Sequence, residues 1–199
     1  MSKNLVAVAM AMGMLVPAAF AQSTTTPAGT KSPVIHERKD NQQQRIGEGV
    51  ENGSLTAAEA AKLERKEAAI NKETKEMKSD GSFTAAERAK VRRQQNAMSK
   101  RIYAQKHDAQ HQAAPVGEVE KRDRAQQKRI GEGIENGSFT AGEAAKLETK
   151  DAKLQREERR LRAQDGGKLD AQDKAKVNRQ QNRMSKGIYR QKHDGQTRK

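Results

Sequence analysis

Residues 45–59 read RIGEGVENGSLTAAE, and residues 129–143 read RIGEGIENGSFTAGE. Agreement of that length at a spacing of 84 residues is the mark of one unit written twice. The match continues downstream. Arg93-Gln94-Gln95-Asn96 returns as Arg179-Gln180-Gln181-Asn182, Ile102-Tyr103 as Ile188-Tyr189, and Gln105-Lys106-His107-Asp108 as Gln191-Lys192-His193-Asp194. The later spacing is 86, so two residues enter in between, near Asp165-Gly166-Gly167. The chain is therefore expected to be a tandem duplication.

Each copy reads as three helices. The first covers roughly 36–52. The second starts at Thr56, whose hydroxyl can accept from the Glu59 amide while Glu59 reaches back, a capping box with Leu55 placed as a hydrophobic staple. The third starts in the same way at Thr84 and Glu87, behind Phe83. Leu63, Ile70 and Met77 recur at sevens on the second helix, and Val91, Met98 and Ile102 line the third. These are narrow seams. The expected core of one copy is Ile46, Val50, Leu55, Leu63, Ile70, Met77, Phe83, Val91, Met98, Ile102 and Tyr103. Gly47 and Gly49 cost helix stability and point to a close helix crossing or an early helix end.

The fold class expected is all-α: a tandem duplication of a three-helix unit, with small cores and a flexible N-terminal leader. The boundaries are a signal peptide at 1–21, a leader at 22–35, repeat 1 at 36–108, a linker at 109–120 and repeat 2 at 121–199. Leu, Ile, Val and Phe together make only about 14% of the chain, against 33% charged residues. Such a composition borders on disorder. A unit this poor in large apolar groups is marginal alone, so packing of the two copies, homodimerisation or a bound partner is expected to support it.

The N-terminus reads as a secretory signal. Lys3 precedes the uncharged apolar run Leu5 to Val16, and Ala19-Phe20-Ala21 is an A-x-A site with the cut expected after Ala21. That run is too short to span a bilayer, and no second one follows, so no transmembrane segment is expected. The chain has no cysteine. Disulfides, thiolate metal sites, thiol catalysis and a cysteine-borne lipid are excluded. A periplasmic or secreted protein is the expectation.

The net charge of +14 is uneven. Most of the excess falls on the third helix of each copy: Arg88, Lys90, Arg92, Arg93, Lys100, Arg101 and Lys106 in the first, and Lys174, Lys176, Arg179, Arg183, Lys186, Arg190 and Lys192 in the second. A one-signed face of this kind suits an acidic or unfolded protein client, or an envelope polyanion such as lipopolysaccharide or DNA. With Tyr103 and Tyr189 the only tyrosines and no tryptophan, base stacking and specific nucleic-acid readout are not expected.

Two patterns suggest divalent metal. Glu48, Asn52 and Glu59, and likewise Glu132, Asn136 and Glu143, fall at positions one, five and twelve of an EF-hand-like loop. Position three is Val50 or Ile134, which cannot ligate. The helix cap explains the same residues without a metal. His107-Asp108 with His111, and His193-Asp194, form the second pattern, His107 and His111 having a usable helical spacing. Thr197 replaces the second histidine in the later copy. A His-Asp pair at a helix end also serves as a cap. No cofactor motif and no nucleophile–base set is present, so an enzyme is the class least expected.

Leu55-Thr56-Ala57-Ala58-Glu59 and Phe83-Thr84-Ala85-Ala86-Glu87 resemble the LTxxQ motif of the Spy/CpxP family. Its members are small, basic, cysteine-free helical proteins of the periplasm that respond to envelope stress, with ATP-independent chaperone activity among them. The resemblance implies a stress-related, chaperone-like role. It covers the helix starts only, and the chain departs in having Glu for Gln and in its duplicated layout. The chain also resembles exported proteobacterial proteins with G-x-L-T-x-x-E followed by I-Y-x-x-K-H, which implies no function.

Overall fold

A computed structural model describes residues 29–198. The stretch expected as a signal peptide, 1–21, and the part of the expected leader up to residue 28 lie outside them. The described residues form six helices: α1 (Pro33–Asn52), α2 (Ala57–Met77), α3 (Ala85–Lys106), α4 (Glu118–Glu135), α5 (Ala141–Gln164) and α6 (Ala171–Lys192). Among them no helix is long and apolar enough to cross a membrane.

Helix starts follow the local chemistry. Thr56, Thr84 and Thr140 accept from the amides of Glu59, Glu87 and Glu143, and each glutamate returns a bond to the cap amide. At α6 the cap is Asp170, which accepts from the Asp173 amide without a reciprocal bond. The first helix is a turn longer than expected because Pro33 sits in its opening turn, where its fixed φ and missing N–H cost nothing. The leader thus ends at Ser32.

The halves share one core. α1 packs on α4 and α2 on α5; α3 leans on α1 and α2, and α6 on α4 and α5. Ile46, Val50, Leu55, Phe83 and Ile102 join Ile130, Ile134, Phe139 and Ile188 in a single buried cluster. A satellite of Val119, Leu154, Leu161, Leu169 and Val177 lies in the second half alone. Of the supports expected for such thin cores, packing of the two copies against each other is the one seen. Two units too poor in apolar surface to stand alone bury their seams against each other. Tyr103 and its counterpart Tyr189 are not core: they are 60% and 63% exposed.

Gly47 and Gly131 make the central crossing possible. A Cβ on Gly47 would lie 2.9 Å from the Gly131 carbonyl oxygen, and one on Gly131 would lie 2.8 Å from that of Gly47. Gly49 serves a different approach. Its Cβ would meet Leu55 at 2.6 Å, because the chain leaving α1 folds back and the Leu55 amide donates to the Gly49 carbonyl.

The segment expected as the linker, 109–120, is docked on the first half. The Gln112 amide donates to the Gly53 carbonyl, and its side chain bonds Leu55 and Gln127. Arg198, at the equivalent place, donates its amide to the Gly137 carbonyl and its guanidinium to the carbonyls of Ile134 and Glu135. Helix α4 then begins at Glu118, inside the range assigned to the linker.

Candidate functional site

The outer helices carry the expected basic residues, but these fall into two groups. One group is tied into the fold. Lys106 is only 15% exposed and donates to the Arg45 carbonyl and Glu48, and Lys192 pairs with Glu132. Lys90 bonds Glu73 and Lys176 bonds Glu157. Arg88 lies over the Phe83 ring and donates to the Gly29 carbonyl.

The other group faces solvent. Arg92, Arg93, Lys100 and Arg101 on α3, and Lys174, Arg179, Arg183, Lys186 and Arg190 on α6, are exposed. None has a carboxylate oxygen within 4.0 Å among the described residues. On α6 the positions 179, 183, 186 and 190 follow the helical repeat and form one stripe.

Beside that stripe runs a groove of about 650 Å³ between α5 and α6. Its floor is Leu147, Leu154, Met184 and the bare backbone of Gly187. Its rim is Lys150, Lys153, Arg183 and Arg190. The one carboxylate on the lining, Glu157, is already held by Arg160 at 2.9 Å and Lys176 at 2.6 Å. Those hydrogen bonds pull its pKa down to about 2. Gly187 opens the groove: a Cβ there would meet nothing nearer than Leu147 at 3.8 Å. The first copy has Arg101 at that position. This one-residue difference is legible in the aligned repeats but carries no signal in a count of charges.

The calcium-like residues do not form loops. Glu48 to Asn52 lie within α1 and Glu132 to Glu135 within α4. Asn52 and Asn136 accept from the amides of Ser54 and Ser138, and Glu59 and Glu143 close capping boxes. The His-Asp pairs are end caps as well. His107 Nδ1 lies 2.8 Å from the Tyr103 carbonyl and its ring stacks on Tyr103 at 4.1 Å; His193 and Tyr189 repeat this at 2.7 and 4.3 Å. Asp108 and Asp194 accept from the amides of Gln110 and Gln196. His111 is exposed in the segment that follows. Asp165, Asp170 and Asp173 do converge at the α5–α6 turn, where Asp170 serves as the α6 cap.

The interior holds charges that the sequence did not disclose. Glu64 and Glu67 on α2, and Glu148 and Asp151 on α5, are 0% exposed. Gln43 donates to both oxygens of Glu64, and Gln127 donates to Glu148 and Asp151. Both Glu67 oxygens lack a partner. Burial pushes Glu64 up to about 8, Glu67 and Asp151 up to about 7, and Glu148 well above the ordinary carboxylate range. Asp123, buried nearby with Asp151 as a like charge, rises to about 8. At neutral pH these groups therefore hold protons to varying degrees, because desolvation disfavours the ionised form.

In comparisons with protein-family models, curated proteins and solved structures, none matches this chain.

Proposed function

We propose that this is a non-enzymatic binding protein for acidic, incompletely folded polypeptide clients. The observation that carries the reading is the α5–α6 groove, with its apolar floor and a rim of four cations that have no carboxylate partner among the described residues. An unfolded acidic segment offers both halves of the complement: apolar side chains for the floor and carboxylates for the rim. Charge then governs encounter and selection, and burial of apolar groups governs retention. The exposed cations of α3 extend the attraction to the other half of the molecule. Export through the N-terminal signal and the resemblance of the helix starts to the Spy/CpxP family agree with a chaperone-like role in the cell envelope.

The test is suppression of aggregation of a chemically denatured acidic protein, at low and high salt. Suppression at low salt that weakens but persists at high salt is expected, because floor contacts are not screened. No suppression at any stoichiometry would overturn the reading. Binding abolished by salt and indifferent to the client's apolar content would instead support a general polyanion binder.

A further inference from the structure

A second cavity lies away from the α5–α6 groove. It is a cleft of about 1150 Å³ between the start of α1, the later part of α2 and the end of the chain. Lys31, Lys39, Lys75 and Lys78 line it, and no carboxylate does. None of the four has a carboxylate oxygen within 4.0 Å among the described residues. Ile35 and Ile70, both nearly fully buried, supply an apolar floor.

Four lysines around one cavity repel each other unless something neutralises them. Lys39 is the most constrained. Burial lowers its pKa, Arg198 and Lys78 lower it further, and Asp40 and Glu67 oppose them. Asp40 is shared with His36 at 3.4 Å and with Arg198 at 3.5 Å. Glu67 is buried and held partly protonated. The Ser32 hydroxyl, also on the lining, is buried without a hydrogen-bond partner among the described residues. The set of lysines is not repeated in the second copy, where Asp123 stands in place of Lys39.

We propose that this cleft is a binding site for an anionic amphiphile, its phosphate monoester head among Lys31, Lys39, Lys75 and Lys78 and its acyl or alkyl part on Ile35 and Ile70. The head brings two negative charges to a lining that holds four lysines and no carboxylate. The Ser32 hydroxyl gains an acceptor. The alkyl part covers apolar surface next to the charges, which a bare anion would leave wet.

The test uses the full chain with octyl phosphate below its micellar concentration, inorganic phosphate and octyltrimethylammonium, read by calorimetry and by amide shifts in NMR. Octyl phosphate is expected to bind and to shift amides of residues 31–39 and 70–79. Lys39→Gln and Lys75→Gln, made separately, are each expected to weaken binding about tenfold with helix content by circular dichroism unchanged. Arg179→Gln with Arg183→Gln is expected to leave it unaltered, so failure here is separable from failure of the client reading. Equal binding by wild type and both lysine variants overturns the proposal, as do shifts confined to α5 and α6. Inorganic phosphate or octyltrimethylammonium binding as tightly as octyl phosphate also overturns it.

Discussion

Gly47 of α1 and Gly131 of α4 face each other so closely that a Cβ on either would press on the other's carbonyl oxygen, at 2.9 and 2.8 Å. The contact is reciprocal: Glu135 lies over Gly47 as Glu51 lies over Gly131. The two residues occupy the same place in the two copies. The approach brings Ile46 and Val50 into one core with Ile130 and Ile134.

Gly47→Ala and Gly131→Ala are each expected to destabilise the protein by about 1–3 kcal/mol, the usual range for overpacking a close contact. Gly142→Ala is the control. Nothing lies within 4 Å of its Cβ, and it is helical, so a gain of up to about 1 kcal/mol is expected. Urea denaturation distinguishes them. Equal effects at all three glycines would contradict the crossing.

Stability is expected to fall as pH rises from about 5 to 8.5. Glu64, Glu67, Asp123, Glu148 and Asp151 have raised values in the folded protein. A group raised on folding contributes fully below its unfolded pKa. That contribution is lost as pH climbs through the folded value, because the unfolded chain then releases protons that the folded chain retains. One pKa unit corresponds to about 1.4 kcal/mol. The groups interact, so their losses do not simply add, and a steady fall in the urea midpoint across the window is expected. Glu148→Gln keeps the shape and an acceptor for Gln127, and should flatten part of the dependence. A urea midpoint that rises with pH would contradict the buried, protonated carboxylates.

Thr56→Ala and Thr140→Ala should each cost about 1 kcal/mol, as loss of an N-cap does. Hydrogen exchange at the Glu59 and Glu143 amides should speed up correspondingly, since those amides lose their acceptor. Unchanged exchange would mean that the caps do not hold these helix starts.

Capping is local, which is why the starts of α2, α3 and α5 were legible from Thr56, Thr84 and Thr140. Gly47 and Gly49 signalled close approaches, but their partners were not readable, since Gly47 meets the other copy and Gly49 the returning Leu55. Tyr103 was misplaced through its adjacency to Ile102. On a helix the next residue points about 100° away, so a neighbour of a core side chain faces elsewhere. The buried carboxylates were hidden because acidic residues on a charged helix read as solvated. Their one available signal was position: Glu67 sits between Leu63 and Ile70 on the same face, and Gln43 and Gln127 recur one copy apart. Among the metal candidates, His107, His193, Glu59 and Glu143 became caps because spacing alone does not separate a ligand from a cap.

The most direct test of the client reading is binding of a fluorescently labelled acidic, permanently unfolded polypeptide to wild type and to Gly187→Arg, followed by anisotropy at fixed salt. The substitution installs the first copy's residue in the α5–α6 groove. It adds a positive charge and a better helix former where a Cβ meets only Leu147 at 3.8 Å, so the fold should persist or gain stability. If the groove holds the client, affinity falls by about tenfold despite the added charge. Unchanged or tighter binding by Gly187→Arg would show that charge alone recruits the client, and would contradict the groove as its binding site.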